Sequence, residues 1–188
     1  IHQNLIARPE LTFTIRQQCL TELAKDYLKA GFLDRAELIF IKLSKDAASP
    51  VSVLIHLKEI YELEKEWQKA IDVSIKIQMK NNEDLSDTIS HYYCELAEEL
   101  LTSNKLSSAR ESVREAIGHD VNNPRTSLVR GRIDVKEGHY DHAIAALTRI
   151  RDQDPVYVPE SLETLEDAYR LDQRPQEELR QYLTSCLD

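Results

Sequence analysis

The sequence predicts an all-α fold, a right-handed superhelix of helical hairpins, and three observations predict it. Only 4 Gly, 6 Pro and 3 Phe occur among 188 residues. That leaves few glycine-dependent turns for β-hairpins, whereas Leu, Ala, Glu and Lys, which favour helices, are frequent. A large residue and a small one recur nine apart at Tyr27 and Ala36, Tyr61 and Ala70, Leu100 and Ala109, Asp134 and Ala143, and Tyr169 and Glu178; the second members lie 34, 39, 34 and 35 residues apart. Residues that tolerate a left-handed backbone sit at one phase of this period: Gly31, Asn104 and Gly138, with Lys65 and Gln173 less suited. Two residues after each comes an anchor: Leu33, Trp67, Leu106, Tyr140 and Pro175.

A period of about 34 residues with these slots resembles the tetratricopeptide repeat, a helix-turn-helix unit, so the expected architecture is a tetratricopeptide-repeat solenoid. The first unit, about 17–50, fills every slot with Leu20, Leu23, Ala24, Tyr27, Ala36, Phe40 and Leu43. In the second, about 51–84, Leu54, Leu57, Tyr61, Ala70 and Ile77 fit, and Lys58 misses the small slot. The third, about 90–123, has Tyr93, Leu96, Ala97, Leu100, Ala109, Val113 and Ala116, after a polar insertion in NNEDLSD where extra length costs little. The fourth, about 124–157, keeps Gly131, Ala143, Leu147, Ile150 and Pro155 but departs at Arg130 and Asp134. The fifth, about 159–188, keeps Leu162, Leu165, Tyr169 and Tyr182, yet Glu166 and Glu178 occupy its small slots, which marks a weakly packed unit. Pro124 and Pro159 suit the first turn of a helix. Such a unit cannot bury its own apolar face, so neighbours must stack. Residues 1–16, with IHQNLIARPEL at their start, read as the tail of a truncated upstream repeat helix, and the array is expected to continue beyond both ends.

Charge and motif content narrow the function. With 24 Lys plus Arg against 33 Asp plus Glu, the net charge of -9 lacks the basic face that phosphate neutralisation demands, which argues against a nucleic-acid partner. Cys19, Cys94 and Cys186 are far apart, an odd and sparse set suited to a reducing compartment rather than a disulfide framework. No run of 18 apolar residues occurs. Dinucleotide, P-loop, zincin and nucleophile-elbow motifs are absent, so no catalytic or cofactor-binding residue is assigned and the chain is expected not to be an enzyme.

In tetratricopeptide arrays the first helix of each unit lines the concave groove, at positions nine, six and two before and one after the large slot. This resemblance puts His91, Cys94, Glu98 and Leu101 of the third unit in the groove, and Arg125, Leu128, Arg132 and Val135 of the fourth, with Lys136 beside them. His91 and Cys94 invite a metal or thiol reading. A closed metal site needs two more ligands, while the neighbouring groove positions carry Glu59 and Glu62 on one side and arginines on the other. A catalytic thiol needs a helix N-terminus and a paired base, whereas Glu95 and Glu98 would raise its pKa. Both residues are therefore read as groove wall, and no metal is expected on them. His139 and His142 are read as solvated at a turn. Arg125 and Arg132 are seven apart on one helical face, Lys136 extends the stripe, and together they suit carboxylates or phosphates. The competing reading pairs them internally with Glu98, Glu160, Glu163 and Asp167. The candidate partner-binding residues are thus His91, Cys94, Glu98, Arg125, Arg132 and Lys136.

Beyond the repeat, IHQNLI, DYLKAGFLDRAE, EWQKAIDV, HYYCELA and KEGHYDHAIAAL occur in an order and spacing that resemble the lipopolysaccharide assembly protein B family of Gram-negative bacteria. The resemblance implies an adaptor on the cytoplasmic side of the inner membrane. Such an adaptor recruits a membrane protease to the deacetylase that commits lipid A synthesis, and associates with lipopolysaccharide assembly proteins. It also implies an N-terminal anchor and a C-terminal rubredoxin-like domain holding iron or zinc on four cysteines, neither of which maps onto residues of this chain. No cofactor is expected on the residues present. The alternative is a generic peptide-binding tetratricopeptide scaffold, such as a co-chaperone or secretion factor. The usual Lys and Asn carboxylate clamp of that class is not reproduced, since Thr21 and Glu59 stand where it would need amide or basic groups.

Overall fold

The protein is described by a computed structural model covering residues 12–186. All regular structure among these residues is helical: α1 Phe13–Lys29, α2 Leu33–Ser44, α3 Val51–Leu63, α4 Trp67–Asn81, α5 Ser86–Thr102, α6 Leu106–His119, α7 Pro124–Glu137, α8 Tyr140–Thr148, the short α9 Ile150–Gln153, a 3-10 turn Pro155–Tyr157, α10 Val158–Leu171 and α11 Gln176–Ser185. Arg149, between α8 and α9, keeps right-handed helical angles, so α9 continues α8 past one break. Five hairpins result, as the 34-residue phase predicts. The chain divides into two compact units, Ile1–Leu85 and Ser86–Asp188.

The turns explain the phase. Gly31, Lys65, Asn104, Gly138 and Gln173 all have positive φ, between 56° and 80°. In each turn the next residue donates its N–H back to the carbonyl of the large slot: Phe32 to Tyr27 (2.9 Å), Glu66 to Tyr61 (2.9 Å), Lys105 to Leu100 (2.8 Å), His139 to Asp134 (2.8 Å) and Arg174 to Tyr169 (3.1 Å). This six-to-one bond satisfies a carbonyl that the helix end leaves orphaned. The slot therefore marks a helix terminus as well as a core position. Elsewhere the caps are side chains: Asn123 Oδ1 accepts from Arg125 N at 2.9 Å, ahead of Pro124, and Thr12 caps α1.

In the first unit α1 packs on α2, α2 on α3 and α3 on α4. Ala24, Ala36, Phe40, Leu57, Ile60, Ala70 and Ile71 are buried along these seams. Leu23 and Tyr27, read as core from the slots, are only half-buried, because among the described residues α1 packs chiefly on α2. The tail assigned to residues 1–16 falls mostly on residues 1–11, outside the described residues, and 13–16 already belong to α1.

In the second unit one cluster joins α5, α6 and α7 through Cys94, Ala97, Leu101, Ala109, Val113, Ala116, Val129 and Ile133. Another joins α7, α8 and α10 through Leu128, Ala143, Leu147, Leu165, Ala168 and Tyr169. The polar small slots of the fifth hairpin, Glu166 and Glu178, are exposed, and α11 contributes one buried residue, Leu179.

Gly131 shows what a small slot does. A Cβ there would lie 2.5 Å from Cγ and Cδ2 of Leu147, which is itself fully buried. Ala is the better helix former by up to about 1 kcal/mol, but overpacking a closed seam costs about 1–3 kcal/mol. Gly131→Ala is expected to lower the urea midpoint; a raised midpoint would mean that α7 and α8 separate freely at this position.

Candidate functional site

The exposed edge between α5 and α7 carries three cross-helix links. Arg125 Nη2 donates to Glu95 Oε1, Arg132 Nη1 donates to Glu98 Oε1, and Lys136 Nζ donates to the Leu101 carbonyl at 3.1 Å. His91 Nε2 lies 4.0 Å from Glu95 Oε1. Spacings of seven and four residues along α7 keep the three cations on one face, and Glu95, Glu98 and Leu101, spaced three residues apart along α5, present their acceptors. Arg132 and Lys136 remain substantially open to solvent. Three cations face two carboxylates here, so the edge carries a small positive excess in a chain of net charge -9.

The internal pairing anticipated from sequence is present in altered form. Glu98 pairs with Arg132 as expected, but Arg125 takes Glu95, and Asp167 takes Arg170 within α10. Both acceptors of the arginines come from α5, because α5 packs directly against α7.

Cys94 is a correction. Assigned to the groove wall beside His91, it is fully buried in the seam of α5, α6 and α7. The two helices close over the position six before the large slot, so that position becomes core; Leu128 of α7 is buried at the equivalent place. Burial pushes the Cys94 thiol up to about 12; Arg125 opposes the rise, and Glu95 and Glu98 add to it. A thiol this hard to ionise is a poor nucleophile and metal ligand. Cys19 lies on α1 and Cys186 at the end of α11, so the three cysteines, on separate helices, do not fit a four-cysteine metal centre.

Asp134 was legible only as a departure from the pattern. It occupies a large apolar slot, yet it is 1% exposed. Arg110 of α6 reaches across, donating from Nη2 to Asp134 Oδ1 at 2.7 Å and also to Glu137 Oε2. These hydrogen bonds raise the Arg110 pKa, so the guanidinium stays charged. Arg130 Nε stands 3.6 Å from the other carboxylate oxygen, which accepts no hydrogen bond. A hollow of about 410 Å³ in the first unit, lined by Gln17, Thr21, Leu43, Pro50 and Val53 among others, was not foreseen at all. It lies where α1 faces the turn into α3.

Five hairpins at one phase, all closed by the same left-handed turn and four of them sealed by the fully buried Ala36, Ala70, Ala109 and Ala143, decide the fold. The chain folds as a tetratricopeptide-repeat array. This repeat array is similar to lipopolysaccharide assembly protein B of Escherichia coli K12, at 35% identity over 170 residues covering 90% of this chain and 44% of the relative. It is also similar to lipopolysaccharide assembly protein B of Haemophilus influenzae, at 29% identity over 169 residues covering 90% and 42%. The chain thus spans less than half the length of the curated relatives it matches. No family model matches it. Among solved structures it is similar in fold to MamA, with a TM-score of 0.60 at 18% identity over 91% of this chain and 90% of that one. It is likewise similar to BtubC from P. vanneervenii, with a TM-score of 0.52 at 17% identity over 100% and 83%. None of the described helices is long and apolar enough to cross a membrane.

Proposed function

We propose that this repeat array is a non-enzymatic adaptor in lipopolysaccharide synthesis and assembly, and that the α5–α7 edge of the second unit is its docking surface for protein partners. The observation that carries the reading is the ladder of Arg125, Arg132 and Lys136, a cationic stripe within an acidic chain. The likeness to lipopolysaccharide assembly protein B over 170 residues supports the biological setting. In that setting the array works on the cytoplasmic side of the bacterial inner membrane, linking a membrane protease to the deacetylase of lipid A synthesis. An acidic segment of a partner exchanges with Glu95 and Glu98 for the guanidiniums. The exchange costs little, since half-exposed ion pairs contribute only about 0–1 kcal/mol.

Arg132→Glu removes an attraction and adds a repulsion, and is expected to weaken binding of the deacetylase by roughly 2 kcal/mol or more, about thirtyfold in Kd. Binding of the parent protein should weaken as salt rises, because exposed charges are screened within about 10 Å at 0.1 M. Calorimetric titration beside thermal melting checks both. Unchanged affinity with lost stability would leave the ladder a clasp between α5 and α7 and move the docking surface elsewhere.

A further inference from the structure

We propose that Asp134, His139 and His142 form a site for one divalent transition-metal ion of the zinc class. Among the described residues these three offer ligand atoms that all lie within 4.8 Å of one another. An ion bound at 2.0–2.2 Å to nitrogen and oxygen separates tetrahedral ligand atoms by about 3.3 Å. Small rotations of two exposed imidazoles would therefore close the site.

The repeat turn builds it. Asp134 lies in the last turn of α7, and Gly138 reverses the chain in the left-handed region at φ 80°. The His139 N–H then bonds to the Asp134 carbonyl at 2.8 Å, which holds the two backbones together. His142 follows three residues on, in the first turn of α8, with its ring centroid 5.8 Å from that of His139 at the N-cap. No other hairpin of this chain combines a carboxylate in the large slot with two histidines after the turn.

A second, independent observation points to a missing ligand. Asp134 is 1% exposed, and one of its carboxylate oxygens is buried and accepts no hydrogen bond. Buried carboxylate oxygens without a donor are costly and rare. Arg110 serves the other oxygen at 2.7 Å, and Arg130 Nε, at 3.6 Å, is an ion-pair neighbour beyond hydrogen-bond reach. A cation held by the two imidazoles would satisfy the orphan. Glu137 Oε2 stands 3.4 Å from His139 Nδ1. A carboxylate there favours a proton on Nδ1 and a lone pair on Nε2, the arrangement metal-binding histidines use. Arg110 and Arg130 are balanced by Asp134 and Glu137, so the incoming charge meets no net cation. Two imidazoles and one carboxylate select zinc, nickel or cobalt over calcium or magnesium. Three protein ligands leave a coordination position for water or for a side chain of a partner.

The test uses the untagged 188-residue chain, freed of metal by chelator, titrated calorimetrically with Zn²⁺ and followed with Co²⁺ by visible absorption. One equivalent should bind, with a ligand-field spectrum of mixed nitrogen and oxygen ligation, while Ca²⁺ and Mg²⁺ at equal concentration should not compete. His142→Ala and His139→Ala should each weaken binding at least about tenfold, since losing even an outer-shell partner costs 10–100-fold. Both side chains are exposed, so the metal-free melting temperatures should match the parent's. No stoichiometric binding, or an equivalent bound equally well by either variant, overturns the site. The adaptor reading is untouched by either result, because its own test is partner affinity in Arg132→Glu.

Discussion

Ala36→Glu is expected to lower the stability of the first unit by about 4 kcal/mol or more, enough to unfold most of it, since small domains rest on a margin of about 5–15 kcal/mol. Ala36 is fully buried on α2, and its own N–H closes the first turn of that helix on the Phe32 carbonyl at 3.1 Å. A glutamate there enters apolar surroundings: Phe40 and Leu43 lie on the same buried face, and Ala24 is buried on the facing helix α1. An unpaired buried carboxylate forces either protonation or separation of the helices. Ala36→Ser keeps the volume nearly constant and can bond its hydroxyl to the preceding turn, so it should cost only about 1 kcal/mol. Urea denaturation followed by helical circular dichroism distinguishes these outcomes. If Ala36→Glu shifts stability by less than about 1 kcal/mol, the small slot is not the point of closest approach between α1 and α2.

The turns, the small slots and the hairpin phase were legible because each is a local demand. Gly31 and Asn104 are residues that accept the left-handed region, and Ala109 is small where a helix approaches. Lys65 and Gln173 were legible only through phase, since neither favours the conformation that both adopt, at φ 57° and 56°. What stayed hidden depends on which helices close over an edge. Cys94 lies on the face assigned to it, yet α5 and α7 meet there and bury it, and nothing local to HYYCELA signals that approach. Glu95 is missing from the acceptors weighed for the cations for the same reason: Glu95 and Glu98 are both within reach of α7, and helical phase alone does not choose between them. Asp134 read as a mismatch because its partner, Arg110, comes from the preceding helix α6, 24 residues away. A charged residue in an apolar slot was the only available signal, and it says that a partner is needed without saying which.

Arg110→Leu is expected to destabilise the second unit by about 3–5 kcal/mol, the cost of leaving a buried charge without its partner. The removed guanidinium donates to Asp134, which is 1% exposed, and to the less buried Glu137. Arg130 cannot take over: it sits on the same helix as Asp134, 48% exposed, with its Nε 3.6 Å away. His139 and His142 flank Asp134 but are exposed and outside its hydrogen bonds, while α6 and α7 bury Ala109, Val113 and Ile133 in the adjoining cluster. If desolvation of the carboxylate is the source of the loss, removing the charge from both sides should reverse it. Arg110→Leu combined with Asp134→Leu gives the large slot the residue class that it holds at Leu100, and should recover most of the stability, returning to within about 1–2 kcal/mol of the parent. Asp134→Leu alone should cost less than Arg110→Leu alone, because the freed guanidinium keeps Glu137 and can turn to water, whereas a stranded Asp134 cannot. Chemical denaturation of the four proteins closes the cycle. Additive losses, with the double variant the least stable, would show that Asp134 and Arg110 contribute by packing rather than as a charge pair.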